Sequence, residues 1–173
     1  MNKPQTHRKP YSVRRVTLSA MIAAIYIVLT MVAAGFDLAS GAIQVRFSEA
    51  LTTLPYFFPE AIPGLTIGCF LSNLLTGGLL PDMIFGTFAT FLGAVGTYHM
   101  RRFGVKLLAS VPPILANALI IPFVLSYADH IPGSIPFFML TVGIGEIISC
   151  GIGGQILLRV LQPLRNALEK NDL

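Results

Sequence analysis

From Val16 to Phe36 the chain runs 21 residues without a charged side chain, and that run limits what the chain can become. A bilayer core takes about 20 consecutive apolar residues as a helix, and it offers no water to backbone groups left unpaired. Helix is therefore the form in which such a stretch can lie in lipid. The rest of the chain follows suit. Hydrophobic residues make up 54% and charged residues 12%, and mean hydropathy is +0.72, whereas charged residues alone average about a quarter of a soluble domain. At roughly 20 residues per span, 173 residues make an all-α integral membrane protein, one compact bundle of six transmembrane helices.

The expected helices run from Val13 to Gly35, Val45 to Phe58, Gly64 to Thr76, Asp82 to Tyr98, Leu107 to Tyr127 and Phe137 to Leu161. A polar basic tail, residues 1–12, precedes this 13–161 domain, and residues 162–173 form a cytoplasmic tail. The first run outlasts the ~7–15 residue core of a signal peptide, so it is expected to stay as a helix. With the N-terminus inside and six spans, all twelve Lys and Arg except Arg46 fall on the cytoplasmic side, as the positive-inside rule requires. Both termini are then cytoplasmic. Basic character thus follows topology, and no nucleic-acid partner is expected. Asp37, Glu49, Asp82, Asp129 and Glu146 collect toward the outer side.

Small residues form rows that let helices approach closely. On the first helix they are Ser19 with Ala23 and Ala20 with Ala24; on the third, Gly64, Gly68, Ser72 and Thr76. The last helix divides into a row for lipid (Leu140, Ile144, Ile148, Ile152, Ile156) and an inward row (Glu146, Cys150, Gly154). Cys69 and Cys150, without a C-x-x-C pair, read as buried free thiols.

Polar residues inside apolar runs cost free energy, and the stretch from Gln44 to Gly86 holds several: Arg46, Glu49, Asn73 and Asp82. Prolines at 55, 59 and 63 leave its first helix short, a pattern that marks substrate sites in membrane carriers. Glu146 lies about nine residues inside the last helix, ~14 Å from its end, where an acid is a functional candidate by default. Arg46 and Glu49, three apart, either serve a ligand or pair with each other. Asn73 and Asn117 serve a ligand or bond neighbouring helices, and Asp82 binds or caps its helix. No phosphate loop, H-E-x-x-H or G-x-S-x-G occurs, and His99 and His130 lack a second ligand at metal spacing. The chain reads as a non-enzyme without metal or cofactor, and any ATP used in transport is consumed by another chain.

G-A-I-Q-V-R-F-S-E-A-L at 41–51, G-L-T-I-G-C-F-L-S-N-L-L at 64–75, D-M-I-F-G-T at 82–87 and G-E-I-I-S-C at 145–150 together resemble the queuosine-precursor transporter (QueT) family, among the substrate-binding S components of energy-coupling factor (ECF) transporters. The resemblance runs from Arg14 to Leu161. It implies an S component in the cytoplasmic membrane, partnered by a coupling T subunit and two ATPase subunits. The implied ligand is a 7-cyano- or 7-aminomethyl-7-deazaguanine, bound among helices four to six and the loops after helices one, three and five. In that reading Glu146, or else Glu49, accepts the guanine-like edge, Asn73 or Asn117 reads the carbonyl, and Tyr56 or Phe85 stacks on the ring. Ala20 and Ala24, with Ser19 and Ala23, match the surface offered to the T subunit. A riboflavin- or pterin-type ligand on the same scaffold, and a stand-alone proton-coupled carrier, stay open.

Overall fold

A computed structural model describes residues 13–36, 45–128, 130 and 132–171, with side chains placed as far as Ala167. The expectations for residues 1–12, Asp37 and Asp129 lie outside the described residues. All regular structure among the described residues is helical, arranged as six rods. They are α1 (Val13–Gly35); a 3-10 helix (Phe47–Tyr56); α2 (Ala61–Leu75); a π turn (Asp82–Gly86) leading into α3 (Thr87–Met100); a 3-10 turn (Lys106–Ser110) leading into α4 (Val111–Tyr127); and one continuous rod of α5 (Ile135–Glu146), a π segment (Ile147–Gly153) and α6 (Gly154–Asn171). Val13–Gly35, Lys106–Tyr127 and Ile135–Ala167 are long and apolar enough to cross a membrane, and Ala61–Leu75 is apolar but shorter.

The small-residue rows set how closely these rods approach. A Cβ added at Gly68 would stand 2.9 Å from Tyr26 Cβ and 3.1 Å from Ala23 Cα, and one at Gly64 would strike the Ser19 carbonyl. So α1 and α2 touch backbone to backbone. Ser19 Oγ donates to Glu60 O at 2.6 Å and Arg15 pairs with Glu60 at 3.2 Å, which sets the starts of the two helices side by side. The strip on α1 is therefore divided. Ser19 and Ala23 pack against α2 inside the chain, whereas Ala20 and Ala24 are exposed. Between α3 and α4 the same device recurs, with Gly93 against Pro113 and Gly96 against Pro112. Pro112 and Pro113 sit in the first turn of α4, where a missing N–H costs least.

The segment expected as an ordinary helix from Val45 to Phe58 is instead a 3-10 helix. Thr52 and Thr53 hydroxyls bond the carbonyls three residues back, Glu49 O at 2.6 Å and Ala50 O at 2.9 Å. At ~2.0 Å per residue its ten residues reach ~20 Å, against ~15 Å for the same residues as α-helix. A proline-limited segment thereby reaches farther through the bundle. Every side chain from Leu51 to Tyr56 is buried, against α1, α2, α3 and the last rod. The last rod admits it through its glycines: Gly154 O accepts from Thr53 Oγ1 at 3.3 Å, and Gly153 faces Ala50.

Leu140, Ile144, Ile148, Ile152 and Ile156 are all exposed, as the row predicts, while Glu146 and Cys150 are buried. A row taken every fourth residue drifts about 40° per step on a 3.6-residue helix. The wider i→i+5 turns of Ile147–Gly153 offset that drift. The rod does not stop at Leu161 but stays helical to Asn171, correcting the expected helix end. Pro163 is tolerated there because Arg159, whose carbonyl loses its partner to the missing N–H, is exposed.

Candidate functional site

All six rods bring polar side chains to one buried cluster. The 3-10 helix repeats every three residues, so Arg46, Glu49 and Thr52 fall on one line. Glu49 is 2% exposed, and its Oε1 accepts from the Tyr26 hydroxyl of α1. At the end of α5, Glu146 is 7% exposed, and its Oε1 accepts from Asn117 Nδ2 of α4 at 3.0 Å. The Asn117 amide also faces Glu49, so it stands between the two acids. Among the described residues, Oε2 of each carboxylate and the nearby Ser149 Oγ are buried with no hydrogen-bond partner.

Arg46 Nη1 donates to Asn73 Oδ1 at 3.5 Å, rather than pairing with Glu49, and it lies within electrostatic reach of both acids. The Asn73 amide in turn reaches Asp82 O at 3.4 Å and Cys69 Sγ at 3.6 Å. Thr90 donates to Cys69 Sγ at 3.3 Å, and Cys150 Sγ lies 3.2 Å from Thr52 Oγ1. Both cysteines are free and buried, so the thiols read as small apolar residues also line the cluster.

The structure thus gathers Glu49, Glu146, Arg46, Asn73 and Asn117. It separates the rest. Asp82 joins the cluster through its main-chain oxygen, with its side chain half-buried. Tyr56 lies seven residues along the 3-10 helix from Glu49, ~14 Å at 2.0 Å per residue, and lines a cavity at the opposite, basic end. Phe85 is exposed and faces an apolar groove with Phe88, Leu119 and Phe123. Neither aromatic stands at the acids. The groove, about 620 Å³, and the basic-end cavity, about 460 Å³, are not lined by Glu49 or Glu146. Among the described residues, Tyr26 and Asn117 bond the acids, and Thr52 and Cys150 lie beside them.

Tyr26 is the site residue that sequence reasoning missed. Its signal was present: a hydroxyl three residues after Ala23 and four before Thr30, on the face that meets α2. Thr30 extends that face by donating to Ser48 Oγ at 2.8 Å. Among the described residues no group of His, Cys, Asp and Glu could hold a metal ion, and His99 Nδ1 lies 2.8 Å from Val95 O.

A buried acceptor without a donor costs about 1–3 kcal/mol, and among the described residues the cluster holds two such carboxylate oxygens. The chain is similar to the queuosine precursor transporter QueT of Lactococcus lactis subsp. cremoris (strain MG1363), 37% identical over 73 residues. That similarity covers 42% of this chain and 43% of the relative, so the chain spans less than half the length of the curated relative it matches. No solved structure matches it. The QueT transporter family model matches residues 16–163, a region that contains Tyr26, Arg46, Glu49, Asn73, Asn117 and Glu146, and the chain therefore belongs to the QueT transporter family.

Proposed function

We propose that this protein is the membrane substrate-binding subunit of an ATP-driven ECF-type importer for a queuosine precursor, 7-cyano- or 7-aminomethyl-7-deazaguanine. The observation that carries this reading is the pair of buried carboxylates, each with one oxygen bonded and one without a partner among the described residues. A guanine-like edge presents two adjacent N–H donors, which a carboxylate accepts as strong charge-assisted bonds. Glu146 takes that edge, Glu49 is the second acid, and Asn73 or Asn117 reads the carbonyl.

The six rods cross the cytoplasmic membrane with both termini inside. Supporting this, Arg15, Arg101, Lys106 and Arg165 gather at one end and the buried acids lie away from it. The exposed pair Ala20 and Ala24 contacts a coupling T subunit, and two ATPase subunits supply the energy that this chain has no motif to capture. Ala20→Leu with Ala24→Leu should abolish copurification with a T subunit while ligand binding persists.

Calorimetry on the purified protein with 7-aminomethyl-7-deazaguanine tests the site. Glu146→Gln should weaken binding about tenfold or more, ~1.4 kcal/mol; unchanged affinity would refute the role. Riboflavin or a pterin binding in place of the deazaguanine would transfer the same scaffold to another ligand. The closeness of two buried acids also favours a second reading, a stand-alone proton-coupled carrier. Uptake by the chain alone in proteoliposomes under a pH gradient would establish that reading, and dependence on T and ATPase subunits would exclude it.

A further inference from the structure

The basic end of the bundle holds a cavity of about 460 Å³ that the acidic cluster does not reach, lined by Tyr56, Phe57, Arg101, Gly104, Lys106 and Arg165. The backbone builds it. The short helix Arg101–Phe103 ends at Gly104, whose φ of +68° belongs to the left-handed region that glycine tolerates. Gly104 N donates to Arg101 O at 3.2 Å, and the extended Val105 leads straight into Lys106. This turn brings Arg101 and Lys106 to one rim.

Aromatic faces orient the arginines. The Arg101 guanidinium lies 4.0 Å from the centre of the Tyr98 ring, and the Arg165 guanidinium comes across from α6 to within 5.0 Å of the centre of the Phe57 ring. Among the described residues the lining includes three cations, of which Arg101 and Lys106 stand on the turn. The same rim exposes large apolar side chains: Phe103, Val105 and Leu107 on the turn, and Leu164 beside Arg165. Cations interleaved with exposed apolar groups suit a polar–apolar boundary, where hydrocarbon covers the one and anionic headgroups meet the other. A soluble anion would have no use for that apolar collar.

We propose that this cavity binds a phosphate-bearing anion, supplied by the bilayer as the headgroup of an anionic phospholipid. The Arg101 fork takes phosphate oxygens in pairs and Lys106 adds a point charge. The bound headgroup would tie the end of the 3-10 helix, the turn between α3 and α4, and α6 together.

Native mass spectrometry of the intact protein in detergent, titrated with phosphatidylglycerol, phosphatidylcholine or inorganic phosphate, tests this. Phosphatidylglycerol should be retained about tenfold more tightly than phosphatidylcholine. Lys106→Gln and Arg101→Gln should each lose about fivefold, the share of one interfacial cation. Arg102→Gln, which removes a neighbouring charge outside the cavity, should change retention by less than about twofold. Phosphatidylglycerol binding without phosphate binding assigns the site to the headgroup, and phosphate binding without lipid assigns the same anion site to a soluble ion. Equal retention of the two lipids with no phosphate binding overturns the proposal, as does an Arg102→Gln loss matching that of Lys106→Gln. The comparison of probes on the unmodified chain stands even if a variant folds poorly.

Discussion

At the basic end Glu60 meets Arg15 at 3.2 Å, with the arginine side chain 62% exposed. In the acidic cluster, Glu49 is bonded by a phenol and Glu146 by an amide, and both are buried. The same side-chain chemistry therefore stands in two regimes. An ion pair with one partner in solvent, here Arg15 at 62% against Glu60 at 19% exposed, is screened and contributes about 0–1 kcal/mol. A buried carboxylate depends on each of its few partners, because water is not at hand to replace a lost hydrogen bond. Mutational sensitivity should accordingly be steep around Tyr26, Glu49, Asn117 and Glu146 and shallow around Arg15 and Glu60.

The comparison can be broken in order of expected effect. Glu49→Gln with Glu146→Gln should cost the most, about 4 kcal/mol of ligand binding or roughly a thousandfold; a loss no greater than that of Glu146→Gln alone, by calorimetry, would remove Glu49 from the site. Gly68→Leu comes next, since even its Cβ would crowd Tyr26 and Ala23. Overpacking there should destabilise the protein by about 3 kcal/mol, read as an earlier thermal transition in detergent. Tyr26→Phe keeps the ring but removes the donor to Glu49, and should cost about 2 kcal/mol of stability. Arg15→Gln should be the mildest, below about 1 kcal/mol. If Arg15→Gln and Tyr26→Phe shift the transition equally, the two regions do not differ as described.

Much of the fold was legible because lipid imposes simple periodicities. The first helix ends at Gly35, where its apolar run predicts. The exposed isoleucine row and the inward Glu146 follow from counting residues around a helix. Two features were not legible, because local sequence does not state how tightly a helix is wound. Phe47–Tyr56 adopts 3-10 geometry, which carries Tyr56 to the opposite end from the acids and so removes it as a stacking partner. Phe85, in the π turn Asp82–Gly86, points outward to the groove instead. Around the site, the polarity of Arg46, Asn73 and Asn117 was evident in sequence, but their partners were not. Tyr26 was hidden by its neighbours in an otherwise apolar run.

The sequence by itself determined that this chain is helical and suited to lipid, which residues turn outward, and which polar groups are costly enough to need partners. These are properties of composition and spacing, and each can be worked out one helix at a time. Only the tertiary structure decided which partners they find. Gly64 and Gly68 admit α1, and Gly153 and Gly154 admit the 3-10 helix, so that Tyr26 meets Glu49; Asn117 meets Glu146 where Gly143 faces Ala118 between α4 and α5. It also decided that Ser19 and Ala23 are covered within the chain while Ala20 and Ala24 are left outside. The physical reason is that close approach depends on two surfaces fitting each other, and a linear spacing describes only one of them.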